Sequence, residues 1–454
     1  MDMLLWLVYS IGVFCARLVQ WYLFLGRRLG KRYFGNGDTW FFLNEARKIR
    51  KGNFRLSSKF REDKIEPTNY VAFALRNHYP PLFIYLLAVI PEKCMDYVIR
   101  YSVPFVDAFM ASTLFSSISF ITGSLEYGML GVVAYLSSPT IFQHNFSACV
   151  RPLALLLVSV IYVVSCSFSV ISFLGLSMLI AMTLLLHKFA AQVVVFTSLA
   201  FLFIGRPDYL LSVVAGFLIA MIASRGYYLK VLSAHMSHLR TNYLKEWAKK
   251  SARSPLKRTA ALVVYFPWLA FFAISIYILG WNAFSTILVC TSVWIITLII
   301  FSIITDFPVL RNIGEGWRYL GYSVFPMAFY AIYVIGYSPV LSWTYMAITF
   351  LGFMISYYYV LRLYRAQEKY VIDNEDTETL KKASSIAGNE IIAYPDEFTL
   401  AAAYFSEKDN AVDLRFADAV VINKELTEEA LPKMIEEKGY LRRFEEKRWI
   451  VYAR

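Results

Sequence analysis

The chain consists mainly of apolar runs that are long enough to cross a lipid bilayer. A transmembrane helix needs about twenty mostly apolar residues, because the hydrocarbon core of a bilayer is about 30 Å thick. Such runs recur as far as residue 361, which predicts a polytopic α-helical membrane protein with about eleven transmembrane helices. The predicted spans are residues 3–25, 101–122, 128–144, 152–168, 170–187, 189–205, 208–224, 259–279, 283–304, 320–337 and 340–361.

The polar stretches between these runs are distributed unevenly. Three are long, at residues 26–100, 225–258 and 305–319, and on the predicted topology all three lie on one face of the membrane. The opposite face has only tight turns, so we expect one functional side. Within the first long loop, residues 80–91 are apolar but too short to cross, and they predict an interfacial or re-entrant helix.

The pattern changes after Leu361, where charged residues become frequent and no further spanning run follows. Residues 362–454 therefore predict a small soluble α/β domain, separate from a transmembrane domain at residues 1–361. Its predicted elements are strands at residues 391–394 and 419–422, helices at 395–405 and 427–438, a hairpin at 440–444 and 448–453, and a linker at 373–389.

Composition agrees with a membrane location and narrows the class of partner. Of the 454 residues 58% are hydrophobic, and the mean hydropathy is +0.50, an apolar content above that of ordinary soluble domains. The formal net charge is +12, and the cations lie in loops and not in a tail. Loop cations beside a membrane favour anionic lipid headgroups or phosphates as partners, and nucleic acid explains them poorly.

Asp38 is the strongest catalytic candidate. It follows the first span, after the turn residues 35–37, and precedes a predicted helix at residues 39–51. One interpretation is an N-cap, because Asp at this position accepts hydrogen bonds from the first backbone N–H groups of a helix. The other is a general base, because a carboxylate at the edge of the bilayer becomes more basic in the low dielectric. The pattern alone leaves both interpretations open.

Three cations stand at the ends of predicted spans. Arg151 precedes the fourth span, Lys188 separates the fifth from the sixth, and Arg318 precedes the tenth. Each alone is explained as a side chain that extends from a span end toward the headgroups. On the predicted topology all three meet the face that carries Asp38, so together they favour binding of a phosphate or diphosphate.

Other acidic residues have structural or metal-binding interpretations. Asp107 lies inside the second span, where an ionised group is costly, so we expect it to pair with Arg100 or to bind a cation. Glu62 or Asp63 would join Asp38 if the site held a divalent cation such as Mg²⁺ or Mn²⁺, although their spacing is unspecific.

Several short motifs occur in a fixed order along residues 1–360. They are Asp38 after the first span with Trp40 and Ala-Arg-x-Ile-x-x-Gly at 46–52, Tyr-Pro-Pro-Leu at 79–82, Arg-Pro at 151–152, Lys188 at the end of the fifth span, and Glu-x-x-Arg-Tyr at 315–319. In this order they resemble the GT-C superfamily of integral-membrane glycosyltransferases, which take sugars from polyprenyl phosphates. The resemblance implies a GT-C-like transmembrane fold.

The same resemblance implies an inverting glycosyltransferase similar to enzymes that use dolichyl-phosphate-mannose. A single sugar would pass from a polyprenyl-phosphate donor to a lipid-linked glycan or to another acceptor hydroxyl, which Asp38 would deprotonate. The residues that would bind the donor and its lipid phosphate are Arg151, Lys188, Arg318, Tyr319, Glu315 and His78. Besides these substrates, the expected partners are membrane lipids.

Two departures from the family limit this transfer of roles. The Trp-Trp-Asp-Tyr-Gly signature of oligosaccharyltransferases is absent, so transfer of whole glycans to asparagine is not expected. Some members have a second acid close to the first, whereas here the next acid after Asp38 is Glu45, which leaves metal dependence open. The alternative functions are a polymerase or ligase of lipid-linked glycans and, from another class, a membrane transporter, for which no internal repeat is visible.

The orientation of the chain is predicted differently by two arguments. The positive-inside rule assigns the loop face, rich in Lys and Arg, to the cytoplasm. The resemblance places the active face outside the cytoplasm, in the plasma membrane. Long loops translocate largely regardless of charge, so we predict that the active face and the long loops are extracytoplasmic.

Overall fold

The computed structural model divides the chain into two compact units. The membrane unit is Met1–Gly26, Val103–Asn145 and Val150–Leu363, and the mixed unit, which contains helices and strands, is Arg27–Ser102, Phe146–Cys149 and Tyr364–Arg454. Within these limits the structure describes residues 3–25, 32–33, 37–52, 79–139, 150–166, 170–238, 266–280, 285–305, 310, 316–367, 372–386, 388–394, 398–410, 417–427, 430–446 and 448–454.

The helices follow the apolar runs of the sequence. Each predicted span coincides, over most of its described length, with a helix, which confirms the polytopic α-helical fold with a small C-terminal α/β domain. In chain order the elements are α1 (Met3–Leu25), β1 (Arg32–Tyr33), α2 (Gly37–Arg50), α3 (Leu82–Val89), α4 (Met95–Thr122), α5 (Leu125–Leu136), α6 (Arg151–Cys166), α7 (Val170–Leu186), α8 (Lys188–Phe201), α9 (Pro207–Ala223), α10 (Tyr227–His238), α11 (Trp268–Leu279), α12 (Thr286–Ile304), α13 (Gly316–Gly321), α14 (Val324–Ile335), α15 (Pro339–Gln367), β2 (Ile372–Asp373), α16 (Asn374–Ile386), β3 (Glu390–Tyr394), α17 (Thr399–Ser406), β4 (Asp409–Asn410), β5 (Ala419–Asn423), α18 (Ala430–Glu437), β6 (Leu441–Glu446) and β7 (Trp449–Ala453).

Helix length separates the long spans from shorter apolar helices. Among the described residues four helical stretches are long and apolar enough to cross a bilayer, and they are Met3–Leu23, Glu92–Thr122, Thr286–Ile304 and Pro339–Tyr358. Helices α9 and α10 qualify together as a fifth, with a bend of 116° between them. The other apolar helices are shorter than the usual span of about twenty residues. The number of membrane crossings therefore stays a prediction.

Two glycines of the membrane unit shape the chain around α8. One permits close packing of α9 against α7, and the other ends the helical segment after α8. A Cβ atom at Gly216 in α9 would lie 2.7 Å from Ile180 and 2.8 Å from the backbone oxygen of Ser177 in α7, so a larger residue would force these helices apart. Small residues permit such close contact between helices in membranes. Gly205, with a φ of 72°, terminates the helical segment after α8 in the left-handed conformation that favours glycine.

The C-terminal part of the mixed unit is a five-stranded sheet with helices on both faces. The strand order is β4-β3-β5-β7-β6, in which β3 is parallel to β4 and β5, and β7 is antiparallel to β5 and β6. Ile435 of α18 packs against Val420, Ile422 and Tyr452 on one face. Both central strands, β5 and β7, are buried along their whole length. The predicted strands and hairpin are thus present, and two described helices follow the predicted helical segments.

Residues 374–386 form helix α16, so the prediction of a linker at residues 373–389 was wrong. Asp373 accepts the N–H of Asp376 at 2.8 Å, and Asp376 accepts the N–H of Asp373 at 3.0 Å, which is a reciprocal cap of the helix start. The Asp376 carboxylate also accepts from the indole N–H of Trp449 at 2.7 Å and pairs with Arg448. The polar residues that suggested a linker therefore cap and anchor the helix.

In its described residues, the first long loop contributes helices α2 and α3 to the mixed unit. Residues 80–91 were predicted to be too short to cross, and they contain the eight-residue helix α3. The ring of Phe42 in α2 lies 5.2 Å from that of Phe83 in α3. On the C-terminal side, Trp40 of α2 lies 5.1 Å from the ring of Phe405 in α17. Helix α2 therefore packs between α3 and the sheet domain.

Candidate anion-binding site

The junction between α7 and α8 places His187 where one helix ends and the next begins. The first helix ends at Leu186, His187 is extended with φ −152° and ψ 127°, and α8 starts at Lys188. Its Nδ1 accepts the backbone N–H of Ala190 at 3.3 Å, so His187 is the N-cap of α8. The first N–H groups of a helix have no partner within the helix, and a side-chain acceptor satisfies one of them.

The three cations singled out from the sequence lie within electrostatic range of His187. Arg151 is the first residue of α6, Lys188 is the first residue of α8, and Arg318 belongs to α13. The guanidinium carbon of Arg318 also lies 5.0 Å from the ring centre of Phe189, at cation–π distance. Cationic side chains of this kind can form charge-assisted hydrogen bonds to a phosphate or another anion.

Two helix starts add to this positive potential. Helices α6 and α8 begin at Arg151 and Lys188, so their positive dipole ends lie at the same residues as two of the cations. Backbone N–H groups at a helix start are a common binding site for phosphate. The site therefore combines helix dipoles with cationic side chains, a combination suited to a phosphate or diphosphate.

Hydrogen bonds orient the imidazole of His187. The Tyr322 hydroxyl lies 3.1 Å from Nδ1, the nitrogen that also accepts from Ala190. Because Nδ1 accepts, Tyr322 is the donor, and the proton of the neutral ring lies on Nε2. His187 thus offers a directed Nε2–H donor among three cations. The sequence prediction did not include His187 in the site, although its position next to Lys188 at a helix junction points to it.

A second set of hydrogen bonds supports the first turn of α8. The Tyr319 hydroxyl donates to the side-chain oxygen of Gln192 at 2.8 Å, and Gln192 contacts Nε2 of His235 at 2.9 Å. His235 lies in α10, which occupies residues of the predicted loop 225–258. The sequence prediction did not include Gln192 or His235. Gln192 could have been found, because it is a polar residue one helical turn after Lys188 in a mostly apolar helix.

Asp38 lies in the first turn of α2, which begins one residue earlier at Gly37. Its backbone is described, whereas its side chain lies outside the described residues, as do His78 and Glu315 in full. Asp38 belongs to the mixed unit, and the three cations belong to the membrane unit. The N-cap and general-base interpretations of Asp38 both stay predictions, and so do the roles assigned to His78 and Glu315.

A separate buried ion pair corrects the prediction for Asp107. The predicted partner Arg100 instead pairs with Asp96, whereas Asp107 accepts from Nε of Arg17 at 2.6 Å, and both side chains of this pair are fully buried. The same carboxylate accepts from the Trp21 indole and the Tyr135 hydroxyl, each at 2.5 Å. Arg17 was missed because it is the one charged residue of the first span, and an apolar pattern does not show which distant residue it contacts.

The described side chains were also compared with the requirements of a metal site. In the part of the chain that the structure describes, no group of three or more His, Cys, Asp or Glu side chains is arranged to hold a metal ion. Glu62 and Asp63 lie outside this part. The divalent cation that the sequence suggested at Asp38 therefore stays a prediction.

The fold has a counterpart among solved structures. No known family and no curated protein matches the sequence. The chain is similar in structure to ArnT from Cupriavidus metallidurans, solved with bound undecaprenyl phosphate, with a TM-score of 0.58 and 9% sequence identity. The alignment covers 99% of this chain and 98% of ArnT. The chain thus shares the fold of ArnT, which agrees with the transmembrane fold that its motifs predicted, and its long apolar helices support an integral membrane protein.

Proposed function

We propose that this protein is a membrane glycosyltransferase that transfers a single sugar from a polyprenyl-phosphate donor to an acceptor hydroxyl. The observation that carries the proposal is the position of two cations at the start of α8, where Lys188 follows the N-cap His187 and Arg318 lies 5.0 Å from the ring centre of Phe189. Arg151, at the start of α6, is the third cation of the proposed site. A GT-C fold gives this cluster its context, because the similar ArnT structure contains undecaprenyl phosphate. The ligand that suits both the charge and the membrane location is a lipid-linked phosphate.

In the proposed reaction the acceptor oxygen replaces the lipid phosphate at the anomeric carbon. The carboxylate of Asp38 takes the acceptor proton as the oxygen attacks from the face opposite the phosphate. The new C–O bond forms as the bond to phosphate breaks, the electron pair leaves with the phosphate, and the anomeric configuration inverts. Arg151, Lys188 and Arg318 stabilise the growing negative charge of the leaving group.

Further roles in the proposed site follow the sequence prediction. His78 and Glu315 bind the donor, and the acceptor is a lipid-linked glycan or another hydroxyl-bearing molecule. The Tyr319 hydroxyl donates to Gln192 in α8. Tyr319 therefore contributes to the phosphate site by supporting the helix that begins at Lys188. To test whether transfer depends on a divalent cation, EDTA is added to the transfer assay, and Mg²⁺ or Mn²⁺ is then restored.

The proposed location is the plasma membrane, with the long loops on the extracytoplasmic side. Single cysteines at positions 53 and 410, in a background without the native cysteines, report the side on which each segment lies. Labelling by an impermeant maleimide in intact cells supports the proposal. Labelling only after the cytoplasmic face is exposed reverses the orientation.

The decisive experiment is a transfer assay in nanodiscs with a panel of polyprenyl-phosphate sugars and lipid-linked acceptors. Removing the base in Asp38→Asn should lower turnover by roughly 10²–10⁴-fold, whereas donor binding should persist. The matched control is Glu92→Gln, which changes an exposed acid of the mixed unit outside the proposed site. It should retain wild-type turnover.

The same assay separates the alternative functions. Transfer that survives in Asp38→Asn would leave Asp38 as a helix cap and would favour the arginine-dependent polymerase or ligase. Failure of wild-type protein to bind any lipid-linked sugar, together with solute flux in liposomes, would replace the enzyme with the transporter.

A further inference from the structure

The helix that carries Asp38 is attached to the C-terminal domain near its opposite end by a buried arginine. Arg47, in the last turns of α2, donates to the backbone oxygens of Tyr404 at 2.9 Å, Ala403 at 3.3 Å and Lys408 at 3.1 Å. These oxygens lie at the C-terminal end of α17 and just beyond it. The last carbonyls of a helix have no partner within that helix, and they carry its negative dipole end.

The environment of Arg47 makes this contact rigid. Its side chain is buried, and Nη2 also donates to Asn44 on the preceding turn of α2 at 3.2 Å. The guanidinium carbon lies 5.9 Å from the ring centre of Tyr404. A planar guanidinium can serve several acceptors in one fixed arrangement, which the single ammonium group of lysine cannot reproduce.

Both ends of the first long loop are tied to the same C-terminal domain. Near its start, strand β1 pairs antiparallel with β2, with Arg32 opposite Asp373. At its last residue, Arg100 in α4 donates to the side-chain oxygen of Asn374 at 2.9 Å, at the start of α16. The domain therefore contacts this segment before Asp38, on its helix, and at the end of the loop.

We infer that the C-terminal domain positions the general base, and that Arg47 is the positioning residue through which it orients α2. This inference rests on the proposed function, in which Asp38 is the base. A helix transmits a tilt along its length, so loss of the Arg47 contacts would displace the first turn, where Asp38 lies. A misplacement of about 1 Å at a reacting group can cost about 10²-fold in rate.

The test is a double-mutant cycle in the full chain that combines Arg47→Gln with Asp38→Asn. In the wild-type background Arg47→Gln should lower kcat by roughly 10–100-fold and leave the KM for the donor within about twofold. In the Asp38→Asn background the same change should alter the residual rate by less than about threefold, because residues that act as a unit give non-additive effects. Arg47→Lys should recover only part of the loss.

Arg50→Gln is the matched control on the same helix. Arg50 donates to the backbone oxygens of Leu87 at 2.7 Å and Ala88 at 3.2 Å, so it serves the end of α3 and not the C-terminal domain. Its effect on kcat should be small and equal in both backgrounds. Hydrogen exchange gives a second readout, in which Arg47→Gln should speed exchange of the α2 amides and Arg50→Gln should not affect its first turn.

The outcomes separate this inference from the proposed function. Full turnover in Asp38→Asn alone would overturn the role of the base, and the inference would fall with it. If Asp38→Asn is inactive and Arg47→Gln lowers the rate by the same factor in both backgrounds, Arg47 only stabilises the fold and the inference alone fails. Unchanged turnover and α2 exchange in Arg47→Gln would also overturn it.

Discussion

The membrane unit contains two sets of charged side chains that differ in the signs of the charges they bring together. Arg17 and Asp107 are opposite charges, both fully buried, and the carboxylate receives three hydrogen bonds from its own protein. Arg151, Lys188 and Arg318 are like charges gathered around a histidine at helix starts. The first arrangement is balanced without a ligand and is therefore structural. The second brings cations together, and on the proposed function these cations bind the phosphate of the donor.

The largest expected effect is on stability, from loss of the balanced pair. In Asp107→Asn the buried Arg17 would keep its charge without the carboxylate that compensates it. Breaking a buried pair by removing one partner costs about 3–5 kcal/mol. We therefore expect a large fall in the thermal midpoint of the purified protein in nanodiscs, with loss of folded protein during expression.

The control for this prediction removes both charges. Arg17→Met combined with Asp107→Leu should recover most of the stability, because replacing a buried ion pair by apolar residues of similar size is often neutral or stabilising. A single variant as stable as wild type, or a double variant no better than the single one, would show that this pair is not a structural unit.

The next largest effect should be on ligand affinity, from the like-charged cluster. Lys188→Gln would remove a charge-assisted contact worth about 1.5–3 kcal/mol, equivalent to roughly 10–100-fold in affinity. We expect weaker binding of undecaprenyl phosphate, measured by fluorescence titration in detergent. The thermal midpoint without ligand should be unchanged or higher, because repulsion with Arg151 and Arg318 decreases.

A cation elsewhere in the same unit provides the control. Lys230 is exposed on α10, so Lys230→Gln removes the same charge at a solvent-facing position. The affinity of the Lys230→Gln variant for undecaprenyl phosphate should stay within about twofold of the wild-type value, because exposed charges interact weakly. Equal losses in the two variants would mean that net charge, and not the cluster, attracts the lipid.

The sequence predicted the fold better than the contacts between distant elements. Apolar runs and their polar ends give helix positions directly, so the elements near Arg151, Lys188 and Arg318 were found. Periodicity carries no information on which helices meet, so the partner of Asp107 was assigned to Arg100 on the same helix. The actual partner, Arg17, is 90 residues away.

The same limit applies to the C-terminal domain. Residues 374–386 are polar enough to suggest a linker, but their helix is anchored by Trp449, which lies 73 residues beyond Asp376. Helix α2 was predicted, whereas its attachment to α17 through Arg47 depends on a contact across more than 350 residues. Local pattern therefore located the candidate residues, and only the tertiary structure shows which distant elements they contact.

A smaller effect is expected from Tyr319, and it decides whether this residue binds ligand. The hydroxyl of this fully buried side chain donates to Gln192, so Tyr319→Phe should lower stability by about 0.5–1.5 kcal/mol. Because the contact is one turn from Lys188, affinity for undecaprenyl phosphate should fall less than in Lys188→Gln. An equal or greater loss of affinity would identify Tyr319 as a direct phosphate ligand.

The smallest expected effect concerns an exposed pair of opposite charges in the mixed unit. Nζ of Lys382 lies 2.5 Å from a carboxylate oxygen of Glu446, and this hydrogen bond lowers the pKa of Glu446. A lowered pKa in the folded state means that the contribution to stability is present above the unfolded value, about 4.3, and is lost as pH falls through the folded value. Lys382→Gln should therefore lower the thermal midpoint slightly at pH 7 and by less at pH 3.

High salt should weaken the exposed Lys382–Glu446 pair more than the buried Arg17–Asp107 pair. Both side chains of the Lys382–Glu446 pair are more than one-third exposed, so 1 M NaCl should remove most of the difference between Lys382→Gln and wild type at pH 7. The Arg17–Asp107 pair is fully buried and should keep its effect at the same salt concentration. A difference at the exposed pair that persists undiminished in high salt or at pH 3 would show that Lys382 acts through packing and not through charge.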